Sequence, residues 1–264
     1  MRQFLVFFRA GPNSLHPRLI AAEPERNWDC CVSWYCAPGD SADLEYSVTG
    51  GENKFAAFDD FYRRLGPQAG YRYYLVADDD IDFNPGDISR FFSLCETYGA
   101  YLCQPALRWG THSNHDVTLW NPLCVLRATT FIEVMAPCFS ALAAQELLDT
   151  FLLSRSTWGI DYAWASRLNG QRRIAVVDAV RVAHTKPVDI GDGPFYRKMR
   201  AMGVNPEEEY GRVKAEFPRF GALSSLPSGH ILRRPWPAGL GNLLTAFFER
   251  LKKRIHRRMV GQRK

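Results

Sequence analysis

The sequence predicts an α/β fold: a mostly parallel sheet flanked by helices, followed by a C-terminal amphipathic helix. Three observations predict it. Short apolar runs alternate with segments of helical spacing. The length of 264 residues fits one α/β domain of about 200–250 residues, as well as two small ones. Hydrophobic residues are 46% and charged residues 23%, which excludes a disordered or fibrous chain and allows a sizeable core. Aromatic residues reach 13%; they suit sugar and base pockets, and large cores use them equally.

The elements follow in order. Residues 4–8 (FLVFF) read as a buried first strand, with a loop over 9–13. Residues 28–35 (WDCCVSWY) read as the second strand, and Gly50-Gly51 breaks the chain. Residues 54–65 carry apolar side chains at 55, 58, 61, 62 and 65, a helical spacing. Residues 71–77 form an aromatic, apolar strand that runs into Asp78-Asp79-Asp80. Pro85 and Asp87 open a helix through Tyr98, and 101–104 is the next strand.

Residues 108–124 are irregular and hold Trp, His and Asn. A short strand is expected at 131–135, ending at Pro137, and a helix at 140–153. Gly159-Ile160-Asp161 opens another helix to Leu168, and two short strands, 174–177 and 180–183, surround Asp178. Residues 1–216 are therefore expected as one domain. Residues 217–239, with Pro218, Pro227, Pro235 and Pro237, have linker composition. Residues 240–264 place Leu240, Leu243, Leu244, Phe247, Phe248, Leu251, Ile255 and Met259 at helical spacing with cations between them.

The net charge is +5, and residues 250–264 hold eight Lys/Arg and no acid. The remaining 249 residues hold 25 bases and 28 acids, a net of −3. A slightly acidic body argues against nucleic acid, and the tail alone calls for an anionic partner such as a membrane surface. The seven cysteines are an odd number without a CxxC pair, which favours a reducing compartment. The apolar run at 4–8 stops at Arg9, too short for a signal segment or a membrane span. The expected location is cytoplasmic, peripheral on the inner face of the membrane.

The strongest chemical signal is the carboxylate cluster Asp78-Asp79-Asp80-Ile81-Asp82 at a strand end. Ligands of open α/β sheets bind beyond the carboxyl ends of strands. Adjacent carboxylates repel unless a cation joins them, and oxygen donors suit Mg²⁺ or Mn²⁺ bridging to a diphosphate. A solvated acidic turn before the Pro85 helix is the competing reading. Asp161 is either a helix-start residue beside a core Trp158 or a general base. The helix dipole would favour its charged form. His184, downstream of Asp178, is either a satisfied core residue or a metal ligand once paired in space with Asp80. His112-x-x-His115-Asp116 lies in a polar loop and reads as an acceptor-binding or plain solvated segment. Cys30-Cys31-x4-Cys36 is a poor zinc match. GxGxxG, GxxxxGK[ST] and GxSxG are all absent, which lowers the case for dinucleotide oxidoreductases, P-loop enzymes and serine hydrolases.

Carboxylates at a strand end, an Asp at a helix start and a downstream His together resemble the GT-A class of nucleotide-sugar glycosyltransferases. A closer likeness is to the family of unknown function numbered 707. It rests on residues 78–81, Gln104-Pro-Ala-Leu107, residues 131–140, Trp158-Gly-Ile-Asp161 and Val176-Val-Asp178 followed by His184. These motifs cover about 70–190; that family commonly has Asp-Glu-Asp where this chain has Asp78-Asp79-Asp80, a change that keeps the outer carboxylates. The resemblance implies a GT-A-like, Rossmann-related fold. Asp78, Asp80 and His184 would hold Mn²⁺ or Mg²⁺, and Asp161 would be the base of an inverting enzyme. Asp78 and Asp79 would face a nucleotide-sugar donor, and Arg9, Asp40 and Lys54 are donor-side candidates because they follow early elements of the nucleotide-binding half. Trp158, Gly159, Glu133, Gln104 and His115 would face a glycan or lipid-linked acceptor. Three rivals stand beside it: a nucleotidyltransferase acting on a sugar phosphate, a non-catalytic glycan-binding protein, and a membrane-associated interaction protein with a purely structural core.

Overall fold

A computed structural model describes residues 2–39, 43–65, 69–168, 174–186, 193–218, 232–233, 243 and 245. In chain order the elements are β1 (Phe4–Ala10), α1 (His16–Ala21), β2 (Trp28–Trp34), β3 (Tyr46–Thr49), α2 (Lys54–Leu65), β4 (Tyr73–Asp78), β5 (Ile81–Asp82), α3 (Asp87–Thr97), β6 (Leu102–Leu107), β7 (Cys124–Ala128), β8 (Cys138–Ser140), α4 (Ala141–Glu146), α5 (Ile160–Leu168), β9 (Ile174–His184), α6 (Pro194–Ala201), α7 (Pro206–Glu216) and β10 (Leu232–Arg233). The sheet order is β3-β2-β1-β4-β8-β6-β9-β7-β10. β1 is parallel to β2 and β4, β2 to β3, and β6 to β9. β8 runs antiparallel between β4 and β6, so β6 and β9 point the same way as β4. β7 is antiparallel to β9.

Both faces of the sheet are covered, which explains the unbroken apolar run of β1. Phe4, Val6 and Phe8 pack with Leu19, Ile88, Phe91 and Phe92 on one face. Leu5 and Phe7 pack with Phe55, Phe58, Phe151 and Trp164 on the other. The two faces follow the period of two along the strand.

Three expected elements differ. Residues 131–135 are not a strand. Their backbone groups are taken by other elements: Asp78 donates its N–H to Met135 O, and Glu133 donates its N–H to the Gln104 side chain. No ladder is needed to satisfy them. The helix expected at 140–153 is α4, capped by the Ser140 hydroxyl, followed by a 3₁₀ segment over Leu148–Leu152. The two strands expected around Asp178 are one strand, β9, with an irregularity opposite β6. Its register steps there from Pro105↔Val177 to Ala106↔Arg181, where Pro105 has no N–H to offer. Of the segment expected as a linker, Leu232–Arg233 pairs with β7 at the sheet edge. Most of it, and of the tail helix, lies outside the described residues.

Asp178 is fully buried in β9. It accepts from Arg127 Nε at 2.9 Å and from the Asn121 N–H at 2.7 Å. Arg127 also donates to Val117 O and Leu119 O, so the pair ties the irregular 117–121 loop to the sheet. Asp178→Ala leaves a buried guanidinium uncompensated and should cost about 3–5 kcal/mol. Urea unfolding would read it, and Asp178→Ala with Arg127→Met should recover part of the loss. An unchanged midpoint in the single variant would contradict this role.

Candidate active site

The carboxyl ends of β1, β2 and β4 meet at the carboxylate cluster. Asp78 closes β4, and its Oδ1 lies 2.8 Å from Lys54 Nζ. Lys54 starts α2, is buried, and also donates to Val134 O and Met135 O at 2.6 and 3.1 Å. Burial lowers the Lys54 pKa and Asp78 opposes that. Burial and the neighbouring Asp80 raise Asp78, against Lys54. Lys54 is thus used to pin Asp78 to the 134–135 turn.

Asp79 turns back toward β1. Its Oδ2 accepts from the Gly11 N–H at 2.9 Å and the Tyr35 hydroxyl at 3.2 Å, and its Oδ1 lies 3.2 Å from Lys186 Nζ. A Cβ at Gly11 would sit 2.1 Å from the Tyr35 hydroxyl, so a larger residue would push this ring off Asp79. Arg9 is buried and donates to Ser33 Oγ, Gly50 O and Gly51 O. It braces the loop before α2. Asp40 lies outside the described residues.

Two residues of β5 bring distant sequence together. β5 pairs antiparallel with β9, with Ile81 opposite His184. Thr185 donates its N–H and hydroxyl to Asp80 O, and Lys186 donates its N–H to Asp80 Oδ2. His184 Nε2 then lies 3.2 Å from Asp80 Oδ2. Its Nδ1 contacts His112 O at 3.3 Å; a carbonyl only accepts, so Nδ1 carries a hydrogen and Nε2 is the nitrogen left to face Asp80 or a cation. Burial pushes Asp80 up, but His184 and Lys186 hold it below its ordinary value. Burial pulls His184 down, and Asp80 lifts it above its ordinary value.

These residues fit a divalent cation. Two neighbouring ligands of an octahedral ion at about 2.1 Å lie about 3 Å apart, close to the 3.2 Å separating Nε2 and Oδ2. Asp78 is turned to Lys54 instead. Among the described residues, the only three His, Cys, Asp or Glu ligand atoms mutually within 4.8 Å are those of Cys95, Cys103 and Cys138. The protein would therefore supply Asp80 and His184 directly. Phosphate oxygens and water would complete such a shell, the usual arrangement for a small hard cation.

Beyond this cluster lies a second pair of carboxyls. Asp161 is in the first turn of α5, only 8% exposed, and accepts the Tyr162 N–H at 3.0 Å. Burial and the charge of Glu133 push it up to about 8. The helix dipole expected to keep it ionised is outweighed. Burial also raises Glu133, to about 6, against the Thr118 hydroxyl at 2.6 Å and the N–H groups of His115 and Asn114. Gln104 is fully buried; its Oε1 accepts the Glu133 N–H at 2.6 Å. It holds the Glu133 backbone and has no solvent-exposed surface of its own. The His115 ring packs on Phe131 and Tyr162.

Trp158 donates Nε1 to the Tyr196 hydroxyl at 3.2 Å and lies edge-on to Tyr196 and Tyr210. The chain reaches α5 through two left-handed residues, Thr157 (φ 66°) and Gly159 (φ 89°). A Cβ on Gly159 would lie 3.0 Å from Val213 Cβ. Glu209 of α7 accepts from Ser156 N–H at 2.7 Å, Arg155 N–H at 3.1 Å and Ser154 Oγ at 3.0 Å, clamping this loop. Burial raises Tyr196, with a further push from Asp78; His184 acts on Glu133. The two carboxylate groups and the aromatic wall are therefore electrostatically linked. Sequence reasoning missed Tyr35, Thr118, Lys186, Tyr196 and Glu209. Lys186 lay two residues beyond a named candidate, and the others carried no local signal.

The fold resembles that of GalNAc-T7, crystallised with UDP, GalNAc and Mn²⁺, with a TM-score of 0.55 at 10% identity over 81% of this chain and 48% of that one. It also resembles S. aureus TarS 1–349, with a TM-score of 0.50 at 11% identity over 83% and 73%. The chain spans about half the length of the first. The likeness makes the fold GT-A-like, as the motifs imply. No protein-family model matches the chain, and no curated protein matches it by sequence. The likeness to family 707 rests on the motifs alone.

Proposed function

We propose that the protein is a metal-dependent glycosyltransferase, moving a sugar from a nucleotide-sugar donor to a hydroxyl of a glycan or lipid-linked acceptor in cell-surface polysaccharide assembly. The observation that carries this reading is the pairing of Asp80 with His184 at 3.2 Å beyond the carboxyl ends of the sheet. A bound Mn²⁺ or Mg²⁺ would supply Lewis-acid stabilisation of the leaving diphosphate. A nitrogen donor beside a carboxylate suits Mn²⁺ better than the harder Mg²⁺, and a protein of the same fold was crystallised with UDP and Mn²⁺.

Asp80 and His184 would hold that cation, and Lys186 adds positive charge beside Asp79. Asp161 takes the proton of the attacking hydroxyl while Trp158 and Tyr196 wall the acceptor against water. With its pKa near 8, about one Asp161 in ten is ionised at pH 7. The same shift makes the ionised form a stronger base. Direct attack with this base gives inversion at the anomeric centre.

Incubation with a panel of nucleotide sugars, with and without Mn²⁺, tests the proposal. The expected product is a nucleoside mono- or diphosphate, released only with the metal. Pyrophosphate release from a nucleoside triphosphate and a sugar phosphate would identify a nucleotidyltransferase instead. Glycan binding without turnover would make the protein a non-catalytic binder.

The basic tail supports attachment to the inner face of the cytoplasmic membrane. Among the described residues, no helix is long and apolar enough to cross a membrane. Eight cations without an acid at 250–264 would each gain about 1 kcal/mol near an anionic leaflet, though not all can reach it together. Full-length protein should co-sediment with anionic vesicles, lose binding as salt rises, and lose it when the chain ends near residue 238. Equal binding by the shortened protein would remove the tail as anchor.

A further inference from the structure

Asn53 is buried at the start of α2 and joins two segments 101 positions apart. Its Oδ1 accepts the Ala56 N–H at 2.8 Å, which caps the helix. Its Nδ2 turns to the other segment and donates to Ser154 O at 3.2 Å and Arg155 O at 2.9 Å. Asp, Ser and Thr cap a helix as Asn does, but none of them carries an amide with two donors. The cap alone therefore does not account for Asn here; the two carbonyls do.

The segment that Asn53 holds leads into α5. Asn53 takes its carbonyls, while Glu209 of α7 takes the N–H groups of Arg155 and Ser156. Beyond this double grip the chain passes Thr157, at φ 66°, on its way to Asp161 in the first turn of α5. A β-branched residue in the left-handed region is strained and persists only where its surroundings over-determine it. The Arg155–Glu52 ion pair also spans the two segments, but its side chains are 43% and 49% exposed, and such pairs contribute little. On its other side Asn53 is followed by Lys54, whose ammonium lies 2.8 Å from Asp78. Asn53 thus sits between the support of the carboxylate cluster and the helix that carries Asp161.

We propose that Asn53 is a positioning residue for the transfer reaction: its amide, bonded to the carbonyls of Ser154 and Arg155, fixes the entry of α5 and with it the place of Asp161 relative to the carboxylate cluster. This rests on the glycosyltransferase reading, with Asp161 as base. The Asn53 side chain is spent on Ala56, Ser154 and Arg155, so it acts through them. Misplacing an aligned group by about 1 Å costs about 10²-fold in rate. A loosened joint therefore lowers kcat and leaves the donor side intact.

The test uses Asn53→Ser and Asn53→Asp in the full-length protein. Each keeps an oxygen for the α2 cap and removes the amide donors. The expected result is a kcat about 10–100-fold lower, with donor KM and the number of Mn²⁺ ions bound per chain unchanged. Full metal occupancy separates misplacement from a loss of folded protein. Glu52→Gln, which weakens only the exposed pair, should match the parent. Hydrogen exchange read by mass spectrometry needs no activity: residues 154–162 should exchange faster in both variants, and α2 at the parent's rate. An unchanged kcat, a donor KM that rises as kcat falls, or unchanged exchange at 154–162 would overturn the proposal. Should neither variant fold, the parent decides: along a urea series the 154–162 amides and the first turn of α2 should open together, and separate openings would overturn it. Failure of the parent to transfer from any nucleotide sugar would sink the glycosyltransferase reading and this role with it, while the exchange result would still show whether the joint holds.

Discussion

Asp80→Ala is expected to lower sugar transfer by about 10³-fold or more, the rate equivalent of the several kcal/mol a bound cation contributes at a leaving diphosphate. The loss should come with weaker Mn²⁺ affinity, read by titration of the free protein followed by Mn²⁺ EPR. The fold should survive. Thr185 bonds the main-chain oxygen of Asp80, so the β5–β9 junction keeps its anchor when the side chain is removed. His184 and the Lys186 N–H lose their partner oxygen. His184→Ala should weaken Mn²⁺ in the same direction, whereas Asp79→Asn should not. Asp79 is occupied by Gly11, Tyr35 and Lys186. Mn²⁺ affinity unchanged in Asp80→Ala would remove the metal role from this carboxylate.

What the sequence made legible follows from the range of the interactions. α2 occupies the residues its periodicity marks, and β4 ends in the acidic cluster, because both depend on neighbours along the chain. The position of Asp161 at a helix start was equally local. Its charge state was not. The dipole argument omitted burial and Glu133, which lies 28 positions away in a segment without regular structure. Lys54 was a donor-side candidate because it follows early elements of the nucleotide-binding half. Only the assembled sheet shows that it spends its charge on Asp78. The meeting of Asp80 with His184 rests on a two-residue strand, β5, too short for any periodic signal. The antiparallel β8, three residues long, escaped notice for the same reason.

Asp161→Asn is expected to separate function from stability. Turnover should fall by about 10²–10⁴-fold, the usual worth of a positioned base. Donor affinity should be kept, since the base acts on the acceptor. The same substitution should stabilise the fold at pH 8. In the folded protein Asp161 holds its proton up to about 8, while in the unfolded chain it ionises near 4. Between these values the native state binds more protons, so stability is fullest below about 4 and falls as pH rises toward 8. Asparagine has no proton to hold, and its advantage over the parent should therefore grow with pH, as urea midpoints at pH 5 and pH 8 would show. The parent enzyme carries the matching kinetic mark. Its kcat/KM should rise with pH and level off above about 8. Glu133→Gln removes the neighbouring negative charge and should move that rise toward lower pH. If the rise stays in place in Glu133→Gln, the two carboxyls do not share one electrostatic environment, and Asp161 is not the group that limits the reaction at neutral pH.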